Sequence, residues 1–155
     1  MQPDVVQQLS QGLQTAFRRG DPAVDAKTIE RDHVSLLEQQ YRAIGEGRFA
    51  TTFYDSLAED VELEILGPPE CPFLGRWTGR DQVYAAVERN FGLIETQTPL
   101  IESVVAQGDT VVVIGRETGR YREPAAEYRV AWVQVMTFAA GRIRRLQEFV
   151  TPVLD

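Results

Sequence analysis

Three consecutive runs between Thr110 and Val150 constrain this chain more than any other stretch: TVVVIGRETGRY, EYRVAWVQVMTF and GRIRRLQEFV. Each alternates polar and apolar residues, the period of a β-strand, whose successive side chains point to opposite faces. Residues 122–126 (REPAA) join the first two, and Ala139-Ala140-Gly141 is short enough to make the last two a hairpin. In the middle run Tyr128, Val130, Trp132, Gln134, Met136 and Phe138 share one face. Keeping like faces together sets Trp132 opposite Glu148, Gln134 opposite Leu146, and Arg116 opposite Trp132. Arg116, Trp132 and Glu148 then form one row across three strands, with the outer two about 9–10 Å apart at the backbone. Arg and Glu side chains are long enough to close that gap over the indole.

The other face of these strands is apolar too. Val111, Val113, Ala131, Val133, Val135, Ile143 and Phe149 make a patch of the size that marks an interface. A homodimer through this outer sheet face is therefore expected.

Composition removes several function classes. At 155 residues the chain has the length of one ordinary domain. An apolar share of 43% with 25% charged residues is that of a soluble globular protein. A net charge of −7 lacks the basic face that displaces counterions from nucleic acid, so no nucleic-acid partner is expected. No apolar run approaches the roughly 20 residues of a membrane span, and no signal peptide is recognisable, so the expectation is a cytoplasmic protein without a membrane partner. The single cysteine, Cys71, permits no internal disulfide, and with one histidine, His33, a zinc-type site is not expected. No cofactor of any kind is called for. His33 stands one turn before Leu37 and is expected to be a partly exposed, inert helical residue; Cys71 is expected to be incidental.

Before the strands the chain reads mainly as helix. Val5, Val6, Leu9, Leu13 and Phe17 recur at helical spacing over residues 2–19, and Gly20-Asp21-Pro22 ends that segment. A second helix runs to Gly45 with Leu36, Leu37, Gln40, Tyr41 and Ile44 on its stripe, and a short third runs from Phe49 to about Leu57. In the strand VELEIL, Val61, Leu63 and Ile65 face in while Glu62 and Glu64 face out. Gly67 to Gly79 is a stiff loop with three prolines, carrying Phe73, Leu74 and Trp77. From Asp81 to about Glu95 an amphipathic helix buries Val83, Val87 and Phe91, and Pro99 to Gln107 opens the sheet. Helices segregated from a mostly antiparallel sheet make an α+β protein.

This order, together with FLGRWTGRDQV at 73–83, VVVIGRETGR at 111–120 and WVQVMTFAAGRIRRLQEFV at 132–150, resembles the nuclear transport factor 2-like superfamily. Within it the sequence is most similar to the SnoaL-like (polyketide cyclase-like) and ketosteroid isomerase-like group. The resemblance implies a cone-shaped α+β barrel, a strongly curved sheet wrapped around helices and enclosing a pocket. It covers residues 28–152, so residues 1–27 stand as an N-terminal helical extension to a domain at 28–155.

The resemblance carries over residue by residue. The positions that ketosteroid isomerases use for their oxyanion donors and proton-transferring aspartate fall near Gln40, Gln134 and Ile65, none of which is the family residue. A limonene epoxide hydrolase-like pattern is matched at Arg116 and Glu148, but its further aspartate falls at Thr118, and Glu117 is expected on the wrong face. The implied site is thus Glu148 as general base beside Arg116. Trp132, Gln134, Gln40, Thr118, Ile65, Leu63, Val87, Phe91 and Leu146 surround a small apolar molecule. Acid–base chemistry there (isomerisation, cyclisation, dehydration or hydrolysis) competes with two other readings: a non-catalytic binder of apolar ligands and a dimeric interaction module. A buried structural Arg116–Glu148 pair is the bland alternative for the two charges.

Overall fold

Val61, Leu63 and Ile65 point into the core and Glu62 into solvent, as the alternation of VELEIL requires. Around this strand the computed structural model, which describes residues 26–45 and 49–154, assembles one curved sheet and the helices that fill it. The helical expectation for residues 2–19 and the break at Gly20-Asp21-Pro22 lie outside the described residues.

Among the described residues the helices are α1 (Ala26–Gly45), α2 (Phe49–Ser56) and α3 (Arg80–Gly92). The strands are β1 (Leu57–Leu66), β2 (Gly75–Thr78), β3 (Ile94–Gln107), β4 (Thr110–Tyr121), β5 (Glu127–Ala139) and β6 (Arg142–Pro152). They form one six-stranded sheet in the order β2-β1-β6-β5-β4-β3, in which only β1 and β6 run parallel. The sheet does not close. It wraps around the helices as an α+β cone, and Leu37, Phe53, Leu57, Leu63, Val83 and Ile143 meet between the two layers. No described helix is long and apolar enough to cross a membrane.

Three differences from the sequence reading bear on the site. Residues 75–78 of the proline loop form β2, an edge strand too short to show its own period. The β5–β6 hairpin turns at Ala140 and Gly141, both at positive φ, and a bulge then shifts the register between Thr137 and Phe138. Arg144 and Arg145 are consequently both exposed, Ile143 turns into the core, and Gln134 rather than Trp132 stands opposite Glu148. Third, Trp132 pairs with Gly115, one residue from the expected Arg116, and this reverses the faces of β4.

The third shift has a steric cause. A Cβ at Gly115 would come within 2.5 Å of the Trp132 indole, and one at Gly119 within 2.5 Å of the Tyr128 ring. Only glycine lets those rings lie flat on β4, so Gly115, Glu117 and Gly119 share the concave face. Val111 and Val113, expected on the outer face, are fully buried inside it. The outer face keeps the expected Val133, Val135 and Phe149 and takes Val112 and Ile114 from β4 in place of Val111 and Val113, while Ile143 is lost to the core.

Candidate functional site

The cone encloses a cavity of about 190 Å³. Helix α1 contributes Leu37 and Gln40, α2 Phe53, and α3 Val87, Asn90 and Phe91; β1 adds Leu63 and Ile65. On the sheet side β3 supplies Gln97 and Pro99, β4 Glu117, β5 Trp132, Gln134 and Met136, and β6 Leu146 and Glu148. The walls are mainly apolar and aromatic, with a few polar groups converging on the interior, as in small-molecule sites generally.

Glu148 is the most perturbed of these groups. Strand β6 sets it beside Ile65 of β1 and opposite Gln134 of β5, whose Nε2 donates to Glu148 Oε2 at 3.2 Å. Burial pushes its pKa up to about 7, the Gln134 hydrogen bond opposes that rise, and the negative charge of Glu117 adds to it. A carboxyl poised there is populated in both protonation states near neutrality, the condition for giving and taking a proton at working pH.

Glu117 is the second carboxyl of the cavity. Burial raises its pKa, while a hydrogen bond donated by the Tyr128 hydroxyl lowers it. The Tyr128 hydroxyl is itself pushed well above the usual phenol range, by burial and by the Glu117 charge. Tyr128 stacks on Tyr121 with ring centroids 4.5 Å apart, and Tyr121 in turn meets the edge of Phe73. Tyrosine and phenylalanine rings thus back the Glu117 end of the cavity.

Gln40 is 7% exposed, and its Nε2 has no hydrogen-bond partner among the described residues. His33, expected to be partly exposed, is also buried and stacks on Phe138 at 4.2 Å, away from the cavity lining. Burial raises the Cys71 thiol, which keeps it protonated and unreactive at neutral pH. No group of His, Cys, Asp and Glu side chains among the described residues is arranged to hold a metal.

Of the expected site residues, Glu148, Trp132, Gln134, Gln40, Ile65, Leu63, Val87, Phe91 and Leu146 all line the cavity. Arg116 and Thr118 do not. The reversed faces of β4 put Arg116 outside, where its Nε meets Glu102 at 2.8 Å with 58% of the side chain exposed, and Thr118 is exposed beside it. The row of Arg116, Trp132 and Glu148 therefore does not form. Glu117, which sequence reasoning turned outward, takes the inward place. The signal for it lay in GRETG: two glycines four residues apart on one strand mark the face against which large rings pack.

The model of the SnoaL-like domain family matches residues 37–146. Among solved structures, an NTF2-like protein of Burkholderia xenovorans LB400 is 24% identical with a TM-score of 0.66, the match covering 78% of this chain and 90% of that one. A Jannaschia sp. CCS1 protein, provisionally described as a SnoaL-like polyketide cyclase, is 20% identical with a TM-score of 0.68 over 84% of this chain and 91% of its own. A Kribbella flavida DSM 17836 protein, provisionally described as a ketosteroid isomerase, is 19% identical with a TM-score of 0.59 over 81% and 82%. At these identities the likenesses establish the fold. No curated protein matches the sequence.

Proposed function

The chain belongs to the SnoaL-like domain family of the nuclear transport factor 2-like superfamily, and from that premise we propose that it is an acid–base enzyme acting on a small apolar molecule in the cone. Glu148, with its pKa near 7, supports this reading more than any other feature. As carboxylate it takes a proton from a carbon or a water held against it, and as acid it returns that proton to another atom of the same substrate. Gln134 fixes one carboxyl oxygen, and Gln40 offers a hydrogen bond from across the cavity. The apolar walls keep the local dielectric low, which strengthens both interactions. Isomerisation, cyclisation, dehydration and hydrolysis all fit this machinery.

Turnover of a panel of small apolar ketones, lactones and epoxides tests the proposal, with Glu148→Gln as the control. The variant should lose roughly two or more orders of magnitude in rate, the general-base contribution, and keep its fold. Equal turnover by both proteins would remove Glu148 from the chemistry. A ligand-binding module without turnover is the second reading, favoured by the placement of Arg116 on the outer face, away from Glu148.

The outer sheet face suits a second copy of the chain. Leu66, Leu100, Val105 and Phe149 are each at least 41% exposed, around Val112, Ile114, Val133 and Val135. The Arg116–Glu102 pair lies by one end of this patch and Glu64 with Arg76 and Arg145 by the other. Two-fold pairing would set charges of both signs against each other and cover the apolar centre.

A further inference from the structure

The cavity holds two carboxyls and, among the described residues, no cation. Lys, Arg and His are all absent from its described lining, and neither Glu117 nor Glu148 makes an ion pair with a described residue. On the outer surface several carboxylates do meet arginines: Glu64 meets Arg76, Glu102 meets Arg116, and Glu95 meets Arg120. Two half-buried acids set in an apolar cavity without a counter-charge are costly to ionise, and a pocket built this way gains most from a ligand that brings the missing charge.

The two carboxyls occupy different places. Glu148 stands opposite Gln134 and Glu117 opposite Val130, four residues earlier on β5, about 13 Å of backbone at the rise of a strand, while the two side chains remain near enough for the Glu117 charge to act on Glu148. Behind Glu117 stand the Tyr128 hydroxyl and the Tyr121 ring stacked on Tyr128, while Phe73, Phe91 and Trp132 line the cavity with the aromatic surface that favours cations. A separate observation says that the cavity awaits a polar ligand atom. The Nε2 of Gln40, on a residue more than nine-tenths buried, has no partner among the described residues, and Gln40 lines the space. A buried amide donor without an acceptor is uncommon unless a ligand supplies one.

We propose that the substrate is an apolar amine, carried as its ammonium ion, with Glu117 as the anchoring anion and a hydrogen-bond acceptor of the substrate held by Gln40. This rests on the reading of the cavity as a substrate pocket and gives Glu117 a role separate from that of Glu148. Glu117 binds the charge, while Glu148, at the other end, moves the proton. Anionic substrates are excluded by the two carboxyls. Neutral ones of the same shape bind more weakly.

A matched series of probes tests this: 4-phenylbutylamine, 4-phenylbutanol and 4-phenylbutyrate, titrated calorimetrically at about pH 8, above the Glu148 pKa of about 7 and where the amine remains protonated. The wild type should bind the amine about tenfold or more tighter than the alcohol, and the carboxylate least. Glu117→Gln should remove the preference for the amine while leaving alcohol binding in place, and Glu148→Gln should retain the preference. An alcohol that binds as well as the amine, a carboxylate that binds best, or a wild type that binds none of the three overturns the proposal. So does a preference that survives in Glu117→Gln. The wild-type comparison stands even if a variant fails to fold. Failure here leaves the titration of Glu148 untouched, whereas failure of the acid–base reading appears as an ordinary Glu148 pKa with the amine preference intact.

Discussion

The indole of Trp132 lies across Gly115 on the neighbouring strand, where no other residue leaves room for it. This one contact sets the parity of β4 and thereby decides which of its charges enter the cavity. A methyl group at Gly115 would press on the indole and on the Leu100 carbonyl oxygen, 2.8 Å away. Gly115→Ala should therefore destabilise the fold by about 1–3 kcal/mol, the usual cost of overpacking, and shift the tryptophan fluorescence. An unchanged melting temperature would mean that the indole lies elsewhere.

Arg116 follows from the same parity. Its partner Glu102 is on the outer face, and both side chains are well exposed, so Arg116→Met should cost no more than about 1 kcal/mol. It should also leave the Glu148 titration where it is. A loss of several kcal/mol in chemical denaturation would place Arg116 in a buried pair after all.

Much of the site was legible in the sequence because it rests on strict two-residue alternation. Trp132, Gln134 and Met136 could be put on one face of β5, and Leu63 and Ile65 on one face of β1, from that period alone. What escaped was whatever shifts register by a residue. The bulge beyond Ala140-Gly141 places Ile143 and Phe149 on opposite faces, though an even spacing separates them. Nothing in GRIRRLQEF marks it except two adjacent arginines that both need water. The inward turn of Glu117 depended on reading Gly115 and Gly119 as packing sites rather than as neutral positions. Strand β2, four residues inside a proline-rich loop, has too little pattern to announce itself.

Stability should depend on pH in a direction that Glu148 dictates. Its pKa is about 7 in the folded protein against an ordinary 4.5. Across that interval the folded state holds a proton that the unfolded chain has released, so stability falls as pH rises through it and levels off above. Glu117, also raised, acts in the same sense. Glu148→Gln cannot ionise, so it should be more stable than the wild type at about pH 8, by on the order of 3 kcal/mol, and nearly equal at about pH 4. Urea unfolding at the two pH values checks this; a variant less stable than the wild type at both would contradict it.

The outer face should make the protein a dimer at micromolar concentration. Phe149, 42% exposed near the middle of the patch, is the residue to change. Phe149→Glu should yield monomers by sedimentation while leaving the cavity intact, because its side chain points away from it. A wild-type monomer removes the interface.

The central claim is that Glu148 sits in the cavity as a carboxyl ready to exchange a proton near neutrality. Carbon-13 NMR of the glutamate side-chain carboxyls, assigned by comparison with Glu148→Gln, measures that directly across the pH range. The expected result is a single resonance, lost in the variant, that titrates at about 7. A Glu148 resonance that titrates near the ordinary glutamate value of 4.5 would contradict the account.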